Sequence, residues 1–412
     1  MRNRIFYLTQ HFYPEAQAAA FRATESALLL QEEGFEVVLL TGFPNLATER
    51  KKSKYKGRLL VRENYRGLEV IRLYTPLDTK KGAWVRLLNY CSFMILAVGV
   101  GLFMKKPTTV YASSPPFFVA LAGLILATMK RARFVPEIRD LWIDFAVLLG
   151  QLKNNSVIAV MRVLEKIIYR AADRIVVVTE GYRDHLVGLG VKEAKIRVIH
   201  AGVDFDQLIK GNGEKVRAEL NLTNHFIVGY AGNVGLAQGL EVMVRAANLM
   251  RDEQNLAFIV VGDGADHRRL TEVAKYLKLN NIYFRGQVTR EEAADYMSAF
   301  NCCLVLLIND PLFNLTLPSK LFECLANSRP VLLGLGGEAE EIIRRSESGL
   351  IFNVQDPASL VQQIRYLKDN QMMAIAMGEN GRRYVNEKFE RRKLVNKLGV
   401  IFKELGSGAG VR

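Results

Sequence analysis

The chain has 412 residues, half of them hydrophobic, enough for two or three domains with sizeable cores. Its net charge is +14, and residues 1–200 hold 30 Lys/Arg against 17 Asp/Glu while the remainder is nearly balanced, so an anionic partner belongs to the first half. The four cysteines, Cys91, Cys302, Cys303 and Cys324, follow no metal or disulfide spacing, and no recognition helix, zinc ligand set or aromatic stacking motif is present, which argues against a disulfide scaffold and against a known nucleic-acid module. All four cysteines read as buried thiols in a reducing compartment. The apolar run at residues 5–9 ends at Gln10, His11 and Pro14, so no signal peptide is expected.

In chain order, residues 5–9 read as a buried strand, residues 18–33 as a helix stopped by Gly34, and residues 36–41 as the next strand. This is the opening of a doubly wound domain, but it lacks the G-x-G-x-x-G fingerprint, which argues against NAD or FAD binding there. Arg22 falls on that helix, where a solvated face is the plain expectation. Residues 49–66 are charged and aperiodic and read as a mobile basic loop, followed by a strand at 67–73. The run 84–104 is apolar but interrupted by Arg86 and Asn89, leaving 12 clean residues; the run 117–129 has 13. A span needs ~20, so neither is expected to cross a membrane. Both read as core helices, one of them presenting an apolar edge to an anionic membrane surface beside Lys105, Lys106, Lys130, Arg131 and Arg133.

Residues 109–113 and 134–138 read as strands. Glu137, Arg139 and Asp140 follow at the carboxyl end of the second, where active-site loops of open α/β sheets lie. Asp140 reads either as an ion-pair partner of Arg139 or as a site residue. A helix at 156–171, a strand at 174–178, a helix from Thr179 and a strand at 196–199 complete this half. Asp204-Phe205-Asp206 mimics a D-x-D metal motif, but it lies in a connection and reads as a helix-starting turn; no metal is expected.

The second half opens with a strand at 226–231, the loop GNVGLAQG and a helix at 240–250. Gly232 and Gly235 allow backbone approach to a phosphate, and a following helix N-terminus favours negative charge. A strand at 256–261 runs into Gly262-Asp263-Gly264. Further strands are expected at 282–285 and 302–307, and a helix at 291–299. The stretch PSKLFECLANSRPVLLG follows. Ser319 can cap a helix carrying Lys320 and Glu323 on one face, with Pro330 before the strand 331–333. Lys320 and the first N–H groups suit phosphates, and Glu323 suits a sugar diol. Helices at 338–346, 356–368, 372–386 and 390–404 complete the chain.

The segment from Pro318 through Ser319, Lys320 and Glu323 to Pro330 and Val331 resembles the E-(x)n-P-x-V region of retaining nucleotide-sugar glycosyltransferases of family 4 type. More narrowly it is similar to the bacterial subgroup of O-antigen, capsule and colanic-acid-type biosynthesis. The resemblance runs over nearly the whole chain. It implies a GT-B fold: two doubly wound, Rossmann-like α/β domains facing each other across a cleft. The implied divisions are an acceptor-binding, membrane-proximal domain over 1–203, a nucleotide-sugar-binding domain over 204–386, a helix over 387–405 crossing back to the first domain, and a disordered tail over 406–412. The implied donor site comprises Gly232, Asn233, Gly235, Gln238, Gly262, Asp263, Gly264, Pro318, Ser319, Lys320 and Glu323, with Arg22, Arg139 and Asp140 on the acceptor side and Asp140, Lys320 and Glu323 carrying the chemistry.

The chain departs from the family at several places. Arg139-Asp140 stands where a His-Asp pair is common, and Asn233 and Gln238 stand where Arg and Lys hold the diphosphate. Leu315 stands where the first of two glutamates would fall, leaving Asp310, Asn314 and Thr316 as substitutes. The implied activity is transfer of a sugar from a nucleotide-sugar, UDP-linked, to a polyprenyl-diphosphate-linked saccharide at the cytoplasmic face of the inner membrane. Configuration is retained, and neither a metal, a further cofactor nor nucleic acid takes part. A nucleotide-sugar 2-epimerase of the same architecture and a non-catalytic membrane-associated assembly subunit are the alternatives.

Overall fold

Strands buried on both faces of a parallel sheet need apolar side chains at consecutive positions, and helices must cover each face. The computed structural model, which describes residues 3–15, 18–45, 54–76 and 83–407, builds two such sheets. The chain divides into one unit of Met1–Ala201 with Arg391–Arg412 and a second of Gly202–Glu390. Both are Rossmann-like α/β domains.

The first sheet has eight strands: β1 (Arg4–Leu8), β2 (Glu36–Gly42), β3 (Leu60–Tyr65), β4 (Leu68–Leu73), β5 (Thr109–Ser114), β6 (Arg133–Ile138), β7 (Ile175–Val177) and β8 (Ile196–Val198). Their order is β3-β4-β2-β1-β5-β6-β7-β8, and every pair except β3–β4 is parallel. The helix Arg391–Gly406 packs onto this unit. Phe402 meets Phe35 and Tyr111 edge-on, Arg392 pairs with Glu32 at 2.7 Å, and Lys403 pairs with Glu33 at 3.2 Å. Of the tail expected from 406, Gly406 still belongs to this helix; residues 408–412 lie outside the described residues.

The second sheet has six parallel strands: β9 (Phe226–Ala231), β10 (Leu256–Val261), β11 (Ile282–Phe284), β12 (Cys302–Leu306), β13 (Val331–Gly334) and β14 (Gly349–Ile351). Their order is β11-β10-β9-β12-β13-β14. The switch from β9 outward to β10 and then to β12 places the ends of β9, β10 and β12 at the crevice where ligands of such sheets bind.

Three expectations change. The basic segment expected as loop contains β3, antiparallel to β4 across a tight turn in which Arg66 and Gly67 both take positive φ. Asn64 Oδ1 accepts the Gly67 N–H at 2.9 Å, and Arg72 pairs with Glu63 at 2.9 Å, so charge that looked solvated is paired across the hairpin. Residues 49–53 of that segment lie outside the described residues. Second, Arg86 and Asn89 do not interrupt the apolar run: Ala83–Phe103 is one helix, and its stretch Val85–Phe103 is long and apolar enough to cross a membrane, with mean hydropathy 1.7. Asn89 is tolerated because Gln10 donates to its carbonyl and its own amide donates to the Pro76 carbonyl at 2.5 Å. Third, Cys91 is half-buried, whereas Cys302, Cys303 and Cys324 are buried.

Candidate functional site

The loop after β9 and the turn after β10 lie backbone against backbone. Gly262 sits at φ +126, and a Cβ there would come within 1.9 Å of the Gly232 carbonyl. One on Gly264 would come within 2.3 Å of the Val234 carbonyl. Gly262 and Gly264 therefore seat one loop on the other, a purpose the repeated glycines alone did not disclose. Hydrogen bonds close the pair: Val234 N donates to the Asp263 carbonyl at 3.0 Å, and Asp263 Oδ1 accepts the Gly264 N–H at 2.7 Å.

Asn233 and Gln238 are engaged within the loop. Gln238 Oε1 accepts the Gly235 N–H at 3.0 Å and the Asn233 side-chain amide at 3.3 Å. These amides shape the loop and bring no positive charge to it. The charge comes from the helix Ser319–Ala326. Its N-cap position is Pro318, so Ser319 is the first helical residue and not the cap. Proline has neither an N–H nor a side-chain acceptor, so no side chain caps the first N–H groups. Lys320 projects from this turn toward β9. Its ammonium donates to the Tyr230 hydroxyl at 2.5 Å and lies 4.1 Å from that ring's centroid. The Tyr230 hydroxyl in turn donates to the Asn233 carbonyl at 2.6 Å. Burial lowers the Lys320 pKa to about 8, against the opposing influence of Cys324 and Glu323. Glu323, one turn on, is exposed.

Of Asp310, Asn314 and Thr316, considered as substitutes for the missing glutamate, the first and last make local bonds and Asn314 reaches the loop after β13. Asp310 accepts the Leu312 N–H at 2.9 Å, Thr316 donates to the Phe313 carbonyl at 2.7 Å, and Asn314 accepts the Gly336 N–H at 3.1 Å. Asp204 caps the short turn Phe205–Gln207 by accepting the Asp206 N–H at 2.9 Å.

In the first unit, Arg22 does not lie on a solvated face. It is buried, its guanidinium donating to Glu137 at 2.5 and 3.1 Å and to the carbonyls of Ile199 and His200 at 3.3 and 3.2 Å. Ser113 adds a hydrogen bond to Glu137 at 2.6 Å. Burial alone would raise the Glu137 carboxyl, but the charges of Arg22 and Arg139 and the Ser113 bond hold it below its ordinary range. Arg139 donates to the Pro115 carbonyl at 3.1 Å and lies 3.9 Å from Glu137, so its carboxylate neighbour is Glu137 and not Asp140. Asp140 receives the Tyr182 hydroxyl at 3.4 Å. Burial raises its pKa to about 6, opposed by Arg139, Tyr182 and the Leu141 N–H. An aspartic acid that titrates near neutrality at a strand's carboxyl end is a candidate proton carrier or sugar ligand.

Sequence reasoning passed over Tyr230 and Tyr182. Tyr230 carried a signal: it shares an inward face of β9 with Phe226 and Val228, and a buried tyrosine, unlike phenylalanine, needs a partner for its hydroxyl.

Residues 18–202 match the family described as Glycosyl transferase 4-like domain, and residues 212–384 match Glycosyl transferases group 1. Relatives include the uncharacterized glycosyltransferase MJ1069 of Methanocaldococcus jannaschii, 24% identical over 63% of this chain and 66% of that protein. Another is the putative colanic acid biosynthesis glycosyl transferase WcaI of Escherichia coli K12, 25% identical over 77% of this chain and 79% of that one. The chain thus spans about two thirds of the first relative's length. Among solved structures, sucrose-phosphate synthase from Thermosynechococcus elongatus superposes with a TM-score of 0.76 at 21% identity, covering 99% of this chain and 100% of that one. Anabaena Alr3699/HepE in complex with UDP-glucose gives 0.73 at 15%, covering 97% and 99%. These structural neighbours have the GT-B fold.

Proposed function

We propose, from a chain that carries a glycosyl transferase 4-like domain followed by a group 1 glycosyltransferase domain and is therefore a glycosyltransferase, that it moves a hexose from a UDP-linked donor to a polyprenyl-diphosphate-linked saccharide. The product enters a bacterial surface polysaccharide, and the anomeric configuration is retained. The observation that carries the donor side is Lys320: a partly buried ammonium at a helix N-terminus, held by a phenol and not by a carboxylate, beside two glycine turns. A cation so placed suits an anion, and a diphosphate supplies one. As the bond from the sugar's anomeric carbon to the diphosphate breaks, charge builds on the leaving oxygen, and Lys320 with the first-turn N–H groups stabilises it. Glu323 accepts the ribose hydroxyls. Asp140 orients the acceptor or the transferred sugar. With Lys320 in that role, no metal is required.

The names of WcaI and of the O-antigen biosynthesis glycosyltransferase WclY support the polysaccharide reading, and structural neighbours bound to UDP or UDP-glucose support the donor class. A lipid-linked acceptor is supported by one face of the first unit. Helices Ala83–Phe103, Phe117–Lys130 and Asn155–Ala171 expose Leu88, Ile95, Phe103, Met129, Val160 and Val163. Residues 79–136 contain eight Lys/Arg and no Asp or Glu, and Glu165, the one acid of the third helix, is buried. An apolar face with basic flanks suits an anionic bilayer at the cytoplasmic side, with the helices lying on it. Co-sedimentation with phosphatidylglycerol vesicles at low salt tests this, and Ile95→Glu with Val160→Glu should abolish it. Wild-type protein that ignores such vesicles would remove the membrane from the reading.

The donor test is a thermal-shift panel of UDP, GDP, CMP and NAD on wild type and Glu323→Ala. A ligand at a hundred times its Kd should stabilise by about 2.7 kcal/mol. A nucleoside diphosphate that stabilises the wild type but not the variant places the ribose at Glu323. Stabilisation by NAD alone, or by nothing, sinks the glycosyltransferase chemistry.

A further inference from the structure

We infer that Tyr230 is a positioning residue: its hydroxyl fastens the Lys320 ammonium to the glycine loop, so that cation and loop present themselves to the donor's diphosphate as one preset unit. The inference rests on the donor reading above and adds a residue that the comparisons do not assign. A tyrosine hydroxyl has one hydrogen. At 2.6 Å from the Asn233 carbonyl that hydrogen is committed to the loop, which leaves the oxygen lone pairs for Lys320 at 2.5 Å. The direction of both bonds is therefore set. Lys320 stands at the end of a chain running ammonium, phenol, peptide carbonyl, and the peptide that closes it belongs to the loop resting on the turn after β10. A four-carbon side chain with free rotamers would otherwise lose conformational entropy at the moment of binding. Here it is ordered beforehand, which is the condition for electrostatic stabilisation without reorganisation.

Burial sets the protonation of this ammonium, and the phenol gives its charged form an acceptor. The titratable groups facing the ammonium are Tyr230 from β9 and Cys324 and Glu323 from its own helix. Burial keeps the Tyr230 phenol protonated far above neutrality, and the Cys303 hydrogen bond together with burial does the same for the Cys324 thiol. A transition between pH 7 and 9 in diphosphate affinity therefore belongs to Lys320. The protonated form binds the anion and the neutral form does not, so affinity falls as pH rises through about 8. Without the hydroxyl, the ammonium loses its hydrogen-bond acceptor in the same enclosed place. Its neutral form is then favoured further, and the fall in affinity moves to lower pH.

The experiment measures binding of UDP, GDP and ADP by calorimetry from pH 7 to 9 for wild type, Tyr230→Phe and Lys320→Ala, with kcat and KM for turnover of the donor. The nucleoside diphosphate that binds the wild type most tightly is followed. Tyr230→Phe keeps the ring that fills the core, and its melting temperature checks the fold. The expected result is a lower pH midpoint and a kcat about tenfold down, with KM changed less, because leaving-group charge is largest in the transition state. If the variant does not fold, proton uptake by the wild type decides: binding at pH 8.5 in buffers of different ionisation enthalpy should take up a proton, and no uptake overturns the inference. A folded variant with an unmoved midpoint and wild-type kcat overturns it and leaves the donor site standing. No binding of any diphosphate by the wild type sinks both.

Discussion

At the end of β6 the buried cation Arg22 meets a buried carboxylate, Glu137, with Ser113 and two carbonyls completing its bonds. At the end of β9 the partly buried cation Lys320 meets a phenol. Both strands end where α/β sheets bind ligands, and both cations come from a helix beside the sheet. The first is neutralised within the protein and is part of its frame. The second is held by a phenol, and burial has lowered its pKa to about 8 against the opposing influence of Cys324 and Glu323. A cation at a sheet's carboxyl end is thus a site candidate only after its own partners have been counted, and that count separates Arg22 from Lys320.

The largest expected effect comes from breaking the neutral pair. Arg22→Ala leaves Glu137 buried without its partner and should cost about 3–5 kcal/mol of unfolding free energy, read by urea titration. Nucleoside diphosphate affinity in the second unit should stay at the wild-type value. Lys320→Ala should do the reverse: kcat falls by roughly 10²–10³-fold while the urea midpoint holds or rises, since no buried charge is orphaned. If Lys320→Ala unfolds the protein and Arg22→Ala leaves it stable, the contrast between the two cations is wrong.

Asp140 sharpens the comparison with a smaller effect. Its folded carboxyl holds a proton to about pH 6, above its ordinary value of 3.8. The folded state therefore binds this proton more tightly than the unfolded chain does, and ionising it costs stability. The cost is absent below pH 4, grows through pH 6 and is complete above it. Asp140→Asn should raise unfolding free energy at pH 8 by roughly 1–3 kcal/mol and leave it unchanged at pH 4. Equal effects at both pH values would mean that the gain is packing and not titration.

Much of the frame was legible because parallel strands announce themselves. Phe226–Ala231 and Leu256–Val261 are unbroken apolar runs ending in glycine, and their bounds can be read from the letters. The hairpin β3–β4 was not, because Glu63, Arg66 and Arg72 look solvated until cross-strand pairing brings Glu63 to Arg72. Only the fold shows that Gly232, Gly262, Gly264 and Lys320 lie together. Asn233 and Gln238 turned out to bond each other, Asp310 and Thr316 to hold local turns, and Asn314 to accept the Gly336 N–H.

The order of apolar runs, glycine turns and cap residues along the chain determined by itself that there are two α/β sheets and which strand ends carry the loops. Those features depend on near neighbours in sequence, through burial periodicity and backbone freedom. Which cation keeps its charge available was decided only by tertiary structure. Glu137 lies 115 residues from Arg22, and Tyr230 lies 90 residues from Lys320. A side chain's protonation and reach depend on the partners that folding brings within about 3 Å, and no local pattern records them.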